Sequence, residues 1–430
     1  MNTLKLVVAF GLLVAGAPGA FGAAPLSLPE AQRRAVERSR QLNASDARVA
    51  SSREMARAAG ELPDPVLKLG IDNVPADGGD RFSLTRDFMT MRRIGLMQEL
   101  TRADKRGLKR ERFELEAEKT LADKEAATAA IQRDTALAWL DRYYLEQMLG
   151  VAAEFLRASA AEVESADSAY RAARGTQAEV FAARTALALG EDRRAELERR
   201  LRTARIDLAR WAGAGDEALA PPPDMGAVRI GSGPLEAHLG THPEIVALDK
   251  QVEVAAADAR LAAAAKRPDW TVEAAFQQRG PAYSNMFSIG LSVPLPWDAA
   301  NRQDREVASR LALADEARAT RDEMLRAHVA EVGGMLEEWR SGRGRQARYR
   351  DEILPYSRER TTASLAAYSG GKSSLNDVLG ARRGEFDMKL QALQLDLDVA
   401  RAWARLNFLL PDETGAGARP MAGNHLGQTR

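Results

Sequence analysis

Two acidic residues, Asp377 and Glu179, occupy matched places in the chain and are the first candidates for chemistry. Asp377 belongs to Tyr368-Ser-Gly-Gly-Lys-Ser-Ser-Leu-Asn-Asp-Val-Leu-Gly-Ala-Arg382, in which a tyrosine ends one helical run, glycines break it and an apolar run resumes. Glu179 belongs to Tyr170-Arg-Ala-Ala-Arg-Gly-Thr-Gln-Ala-Glu-Val-Phe-Ala-Ala-Arg184. The offset of 198 residues that relates Tyr170 to Tyr368 also relates Glu179 to Asp377, Val180 to Val378, Ala183 to Ala381 and Arg184 to Arg382. Carboxylates gathered around one axis would raise the local negative potential, attracting cations and repelling anions. The same carboxylates at a helix start would serve instead to complement the helix dipole. Arg174, Lys372, Arg184 and Arg382 stand close enough in sequence to form ion pairs at the turn or to meet a partner. Tyr170 and Tyr368 belong either to that site or to the packing beneath it.

Other constellations carry less. Gly370-Gly371-Lys372-Ser373 has the look of the end of a phosphate-binding loop, but the earlier glycine would fall at Ala366 and no apolar strand precedes it. His238 and His242 are four apart and would share a helical face as metal ligands. Pro243 follows at once, however, and places His242 at a helix start. His328 and His425 are isolated in the sequence, so the histidines are read as solvated and no metal site is assigned. No nucleophile–base–acid set stands out. Neither enzyme activity nor a cofactor is expected.

The bulk composition narrows the class. The 61 basic and 61 acidic residues cancel, against the basic surplus usual in nucleic-acid binders. Aromatics make up only 6%, and alanine, leucine, arginine and glutamate dominate, as in long helices packed through small side chains. The chain has no cysteine, which excludes disulfides, thiolate metal sites and a lipid-anchor cysteine. Residues 1–23 read as a signal peptide, with Lys5 before an apolar core and small residues near Ala20 to Ala24. No later apolar run is long enough for a membrane-spanning helix. An exported chain of this kind meets a membrane as strands or not at all.

Strands and long helices are both legible. Leu67, Leu69 and Ile71 alternate with Lys68, Gly70 and Asp72, and Met91 to Leu100 carries a second strand. Asn73 to Arg86 between them reads as an exposed loop. Thr101 to Ser168 contains no proline, and Leu137, Leu140, Tyr144, Met148, Val151 and Phe155 step along it as a helical seam. If continuous, that run is a rod on the order of 100 Å. Beyond a Pro/Gly-rich linker the pattern repeats. Pro268-Asp269 matches Pro63-Asp64, two further strands follow at Trp270 and Phe287, and Ile289-Gly290-Leu291 repeats Ile94-Gly95-Leu96. A long helical run from Asn301 to Tyr368 follows, loosened at Gly333-Gly334, at Gly342 and Gly344, and at Pro355. The seam Leu197, Leu201, Ala204, Leu208, Trp211 returns as Leu395, Val399, Ala402, Leu406, Leu409.

The expected organisation is a signal peptide over 1–23, a first repeat over 26–213, a linker over 214–234, a second repeat over 235–410 and a disordered tail over 411–430. The fold is mainly α with a small transmembrane β part. Each repeat reads helix, strand, strand, long helix, helix, with strands of about nine or ten residues, the length that crosses a tilted bilayer barrel. Four strands leave open edges, which lipid does not tolerate. Three chains sharing one 12-stranded barrel would close them, and the helical rods would continue it as a periplasmic α-helical barrel. A soluble periplasmic coiled-coil adaptor or scaffold is the alternative of a different class, but it predicts no barrel strands.

On these motifs the chain resembles the TolC-type outer-membrane factors of tripartite efflux and secretion systems. The resemblance spans Leu26 to Leu410 and rests on the duplicated layout, the two turns and the Pro-Asp pairs. It implies a homotrimeric channel in outer-membrane lipid, with a periplasmic adaptor and an inner-membrane RND pump as partners. It also places Tyr368, Asp377, Glu179 and Tyr170 at a periplasmic gate, with Arg174, Lys372, Arg184 and Arg382 as gate ion pairs or adaptor contacts. Gly380 stands where some relatives carry a second acidic residue. Asp64-Pro65 through Asn73-x-Pro75, Met91 to Glu99, and Lys105-Arg106 look like the CzcC-like, heavy-metal-efflux branch. Thr101-Arg102-Ala103-Asp104 departs from that branch, which often carries Pro-Gly there. Metal cations are the favoured cargo; drug efflux and type I protein secretion stay open.

Overall fold

The computed structural model describes residues 24–213, 215–229 and 233–410; the expected signal peptide and C-terminal tail lie outside the described residues. Helix α1 (Leu28–Arg38) starts at Ser27, whose hydroxyl accepts from Glu30 N, one of the amides that a helix start leaves unpaired. Ser39 departs from helical geometry and caps α2 (Arg40–Gly60) in the same way. Strands β1 (Val66–Asp72) and β2 (Met91–Leu100) then lead into α3 (Ala103–Arg171) and α4 (Gln177–Ala212). Helix α3 has 69 residues and measures about 100 Å at 1.5 Å per residue. The second repeat comprises α5 (Leu235–Leu239), α6 (Pro243–Ala265), β3 (Trp270–Gln278), β4 (Met286–Ser292), α7 (Gln303–Arg348), α8 (Leu354–Ser369) and α9 (Leu375–Asn407).

The four strands form one antiparallel sheet in the order β1-β2-β3-β4. Its central ladder joins the repeats, pairing Ile94 with Phe276 and Leu96 with Ala274. Because side chains alternate between faces, Leu67, Leu69, Ile94, Leu96, Phe276, Phe287, Ile289 and Leu291 share one face, and all are exposed. Leu69 and Ile289 expose 71% and 73% of their surface. The opposite face is polar: Lys68 Nζ lies 2.6 Å from Glu273 Oε2, and Arg93 stands between Asp72 and Glu273 at 3.4 and 3.6 Å. Strands β1 and β4 run for seven residues each rather than nine or ten. They are the sheet's edges, with a neighbour on one side only, so a strand end that overhangs its single partner forms no ladder.

The helical core is assembled from both repeats around α3. Trp139, Leu140 and Tyr144 of α3 pack with Leu208 of α4 and Leu397, Trp403 and Ala404 of α9. Further along, Phe155 stacks on Phe386 at 4.3 Å between ring centroids. The seams of α4 and α9 are buried as their spacing requires: Leu197 and Leu208 are fully covered, and Leu395, Val399 and Leu406 nearly so. The linker is pinned rather than loose. Leu26 forms a parallel bridge with Leu219, Trp139 Nε1 donates to Leu26 O at 3.0 Å, and Trp403 Nε1 donates to Ala227 O at 2.9 Å. A buried indole N–H needs such a partner, so the two tryptophans fix the linker's path.

The glycines of the last long helical run do not loosen it. Helix α7 continues through Gly333, Gly334, Gly342 and Gly344, and the irregularity is a π-helical turn over Tyr349–Ile353, directly before Pro355. Proline cannot donate to the turn before it, and an inserted residue re-satisfies the backbone around the gap. Gly342 is buried and a Cβ there would lie 2.5 Å from Val399 Cγ2 of α9, whereas nothing lies within 4 Å of a Cβ on Gly344. Gly342→Ala should therefore cost about 1–3 kcal/mol through overpacking against a stiff β-branched neighbour. Gly344→Ala should add about 0.5–1 kcal/mol by removing a helical glycine. Thermal unfolding of the two purified variants reads the opposite signs.

Candidate functional site

The two turns close α3 onto α4 and α8 onto α9 with one backbone design. Ala173, at φ 57°, and Gly371, at φ 70°, take the left-handed conformation at equivalent positions. Arg174 N returns to Ala169 O and Lys372 N to Ala367 O. Each following helix then opens with a capping box. Thr176 Oγ1 accepts from Glu179 N at 3.2 Å while Glu179 Oε2 accepts from Thr176 N at 2.8 Å. Ser374 Oγ accepts from Asp377 N at 3.3 Å while Asp377 Oδ2 accepts from Ser374 N at 3.0 Å. The Ser374 hydroxyl and amide hold the Asp377 carboxyl below its ordinary range. Both candidate carboxylates thus cap helices in this chain, and their charge stands exposed or half-exposed at the tip.

Beneath the turns the repeats share a small apolar core of Ala166, Val180, Ala183, Leu375, Val378 and Leu379. Tyr368 packs against it, whereas Tyr170 is 48% exposed. The four basic candidates also divide. Arg184 lies 3.4 Å from Asp167, and Arg382 pairs with the buried Glu162; both acids belong to α3. Arg382 meets Glu162 Oε1 while Oε2 has no hydrogen-bond partner, so the pair neutralises a charge that burial would make expensive. Arg174 and Lys372 form no ion pair within the described residues and stay exposed. Glu162, Asp167, Thr176 and Ser374 were not among the expected site residues. The Thr-x-x-Glu and Ser-x-x-Asp spacings were visible as capping boxes, but the α3 acids have no local signal.

The reading of the histidines as solvated needs correction. His238 is exposed, and His425 lies outside the described residues. His242 is buried as the N-cap of α6, and its ring lies 5.0 Å from that of His328. The isolation of His328 in sequence says nothing about α7 crossing α6, which is what brings the two rings together. Burial, then the neighbouring His328, push the His242 pKa down.

The chain is an elongated helical hairpin bundle carrying a four-stranded sheet that is apolar and exposed on one face. Solved structures share this fold. A membrane protein from Pseudomonas aeruginosa is 17% identical, with 89% of this chain and 92% of that one covered at a TM-score of 0.77. The outer membrane channel MtrE of Neisseria gonorrhoeae, in its open state, is 17% identical over 89% and 88% of the two chains at a TM-score of 0.74. CusC, described for its folding and transmembrane channel formation, is 16% identical over 90% and 91% at a TM-score of 0.73. Residues 235–411, the second repeat, match the family described as Outer membrane efflux protein. No curated protein matches the sequence.

Three outcomes test the tip. Ala173→Gly should stabilise the first turn by about 1 kcal/mol, since the left-handed conformation costs an alanine that much and glycine little. Arg382→Ala should cost about 2–3 kcal/mol by stranding Glu162, after allowance for the partly exposed guanidinium, while Arg184→Ala should cost under about 1 kcal/mol. Both are read from unfolding midpoints. Because the Asp377 pKa is lowered on folding, its contribution is complete above the ordinary aspartate range, about pH 4, and is lost as pH falls through the lowered value. The protection factors of the Ser374 and Asp377 amides, taken against the intrinsic exchange rate at each pH, should fall over that acidic window and stay level between pH 5 and 8.

Proposed function

We propose that the chain is one protomer of an outer-membrane efflux channel, a homotrimer that conducts substrate passively from a periplasmic adaptor and an inner-membrane RND pump to the exterior. One observation carries the reading. A single four-stranded sheet exposes a continuous apolar face and two unpaired edges, a combination stable in lipid only when the edges are closed by further strands. Three copies supply twelve strands from the four in each chain and carry the polar face, with Lys68, Arg93 and Glu273, into the lumen. Trp270 and Trp297, exposed where the strands meet the helices, and Phe82 and Phe88 on the loop side suit the two interfacial girdles of a membrane barrel. A soluble adaptor or scaffold has no use for such a face.

In this reading the turns lie at the periplasmic end, where Asp377 and Glu179 of three chains form a ring of up to six carboxylates. Capping does not discharge them, so the ring favours cations. Tyr368 supports the ring from below, and the unpaired Arg174 and Lys372 are free for a neighbouring protomer or the adaptor. Heavy-metal cations are the cargo suggested by the CzcC-like segment around β2; drug efflux or type I protein secretion is the alternative.

Unboiled outer-membrane fractions should give a trimer band that collapses on boiling; a monomer in the soluble periplasmic fraction would overturn the channel reading. Asp377→Asn with Glu179→Gln keeps the shape of both caps and removes the charge. Planar-bilayer recordings of that double variant should show reduced cation preference, and unchanged selectivity would remove the ring.

A further inference from the structure

The turns use none of the histidines, yet His242, Glu244 and His328 bring one donor atom each to within 4.8 Å of one another. His242 caps α6 and Glu244 stands in its first turn. His328 comes from α7, which packs on α6 through Ile245, Leu325 and Val332. His328 Nε2 lies 2.8 Å from Glu244 Oε2, but the approach lacks hydrogen-bond geometry and the buried nitrogen has no hydrogen-bond partner. A buried ring nitrogen this close to a carboxylate oxygen, with no hydrogen bond between them, sets two donor atoms together as a cation would use them. The His242 ring stands at the same point, its centroid 5.0 Å from that of His328. Its 3.3 Å cap bond from Glu244 N is long and is the contact that a ligand on that ring would displace.

We propose that His242, Glu244 and His328 form a resident site for a divalent transition-metal ion of the zinc class. Two imidazoles and one carboxylate, with a fourth position left to water, are a donor set that zinc accepts. Magnesium and calcium require oxygen cages and are not served by it. Glu244, whose side chain is 56% exposed beside a His328 side chain only 12% exposed, opens the site to a cleft of about 730 Å³. Asp134 and Arg133 from α3, Glu331 from α7 and Arg405 from α9 border that cleft. The ion ties the start of α6 to the middle of α7. It is bound whether or not the channel carries metal.

The test uses the full chain in detergent, stripped with a chelator and titrated with zinc chloride by calorimetry. The expected result is one ion per chain, with Glu244→Gln and His328→Gln each weakening binding at least about tenfold and magnesium giving no heat. Absence of saturable one-to-one binding by the native chain, or unchanged affinity in a folded His328→Gln variant, overturns the site. Should the variants fail to fold, cobalt replaces zinc in the native chain. Intense visible absorption of a four-coordinate, imidazole-ligated ion supports the site, and the weak spectrum of the hydrated ion overturns it.

Discussion

A backbone amide or carbonyl left unpaired in hydrocarbon costs several kcal/mol, and the free edges of β1 and β4 are rows of such groups on a sheet whose apolar face is already outward. No rearrangement within one chain pairs β1 with β4, because β2 and β3 stand between them. In the proposed trimer, closure comes from other copies. The helices follow from the same constraint. Asp269, at the start of β3, accepts from Arg102 N at 3.0 Å and pairs with Lys105 at 2.8 Å, so sheet and α3 are locked at their junction. In the proposed trimer, a ring of strands would therefore impose a ring of rods.

The duplication supplies economy and the differences between the halves supply specificity. Both turns have a left-handed residue, a capping box and an arginine reaching back to α3. Yet Gly371 takes that conformation freely while Ala173 does so under strain. Arg382 answers a buried acid while Arg184 answers a half-exposed one. Tyr368 joins the apolar floor and Tyr170 does not. The second repeat is the better anchored of the two at the tip.

Most of the fold was legible because its signals are local and periodic. A two-residue alternation specifies a strand with unlike faces, and proline-free apolar spacing over 60-odd residues specifies a rod like α3. The glycines misled, since a glycine in sequence has the same appearance whether it loosens a helix or admits a neighbour. Gly342 admits Val399 from another helix. Likewise β1 and β4 each pair on one side only, and an alternating pattern does not say which strand will lie at an edge.

By itself the amino-acid sequence determined the repeat, the strand faces, the rod, the caps of Thr176 and Ser374 and the absence of thiol chemistry. These depend on a residue's own conformational preferences and on neighbours within one helical turn. Only the tertiary structure decided which side of α3 receives Arg184 and Arg382, that the linker is held by Trp139 and Trp403, and that His242, Glu244 and His328 converge. Each of the last joins positions tens to hundreds of residues apart, and the crossing of two helices that brings them together leaves no periodic trace in either one.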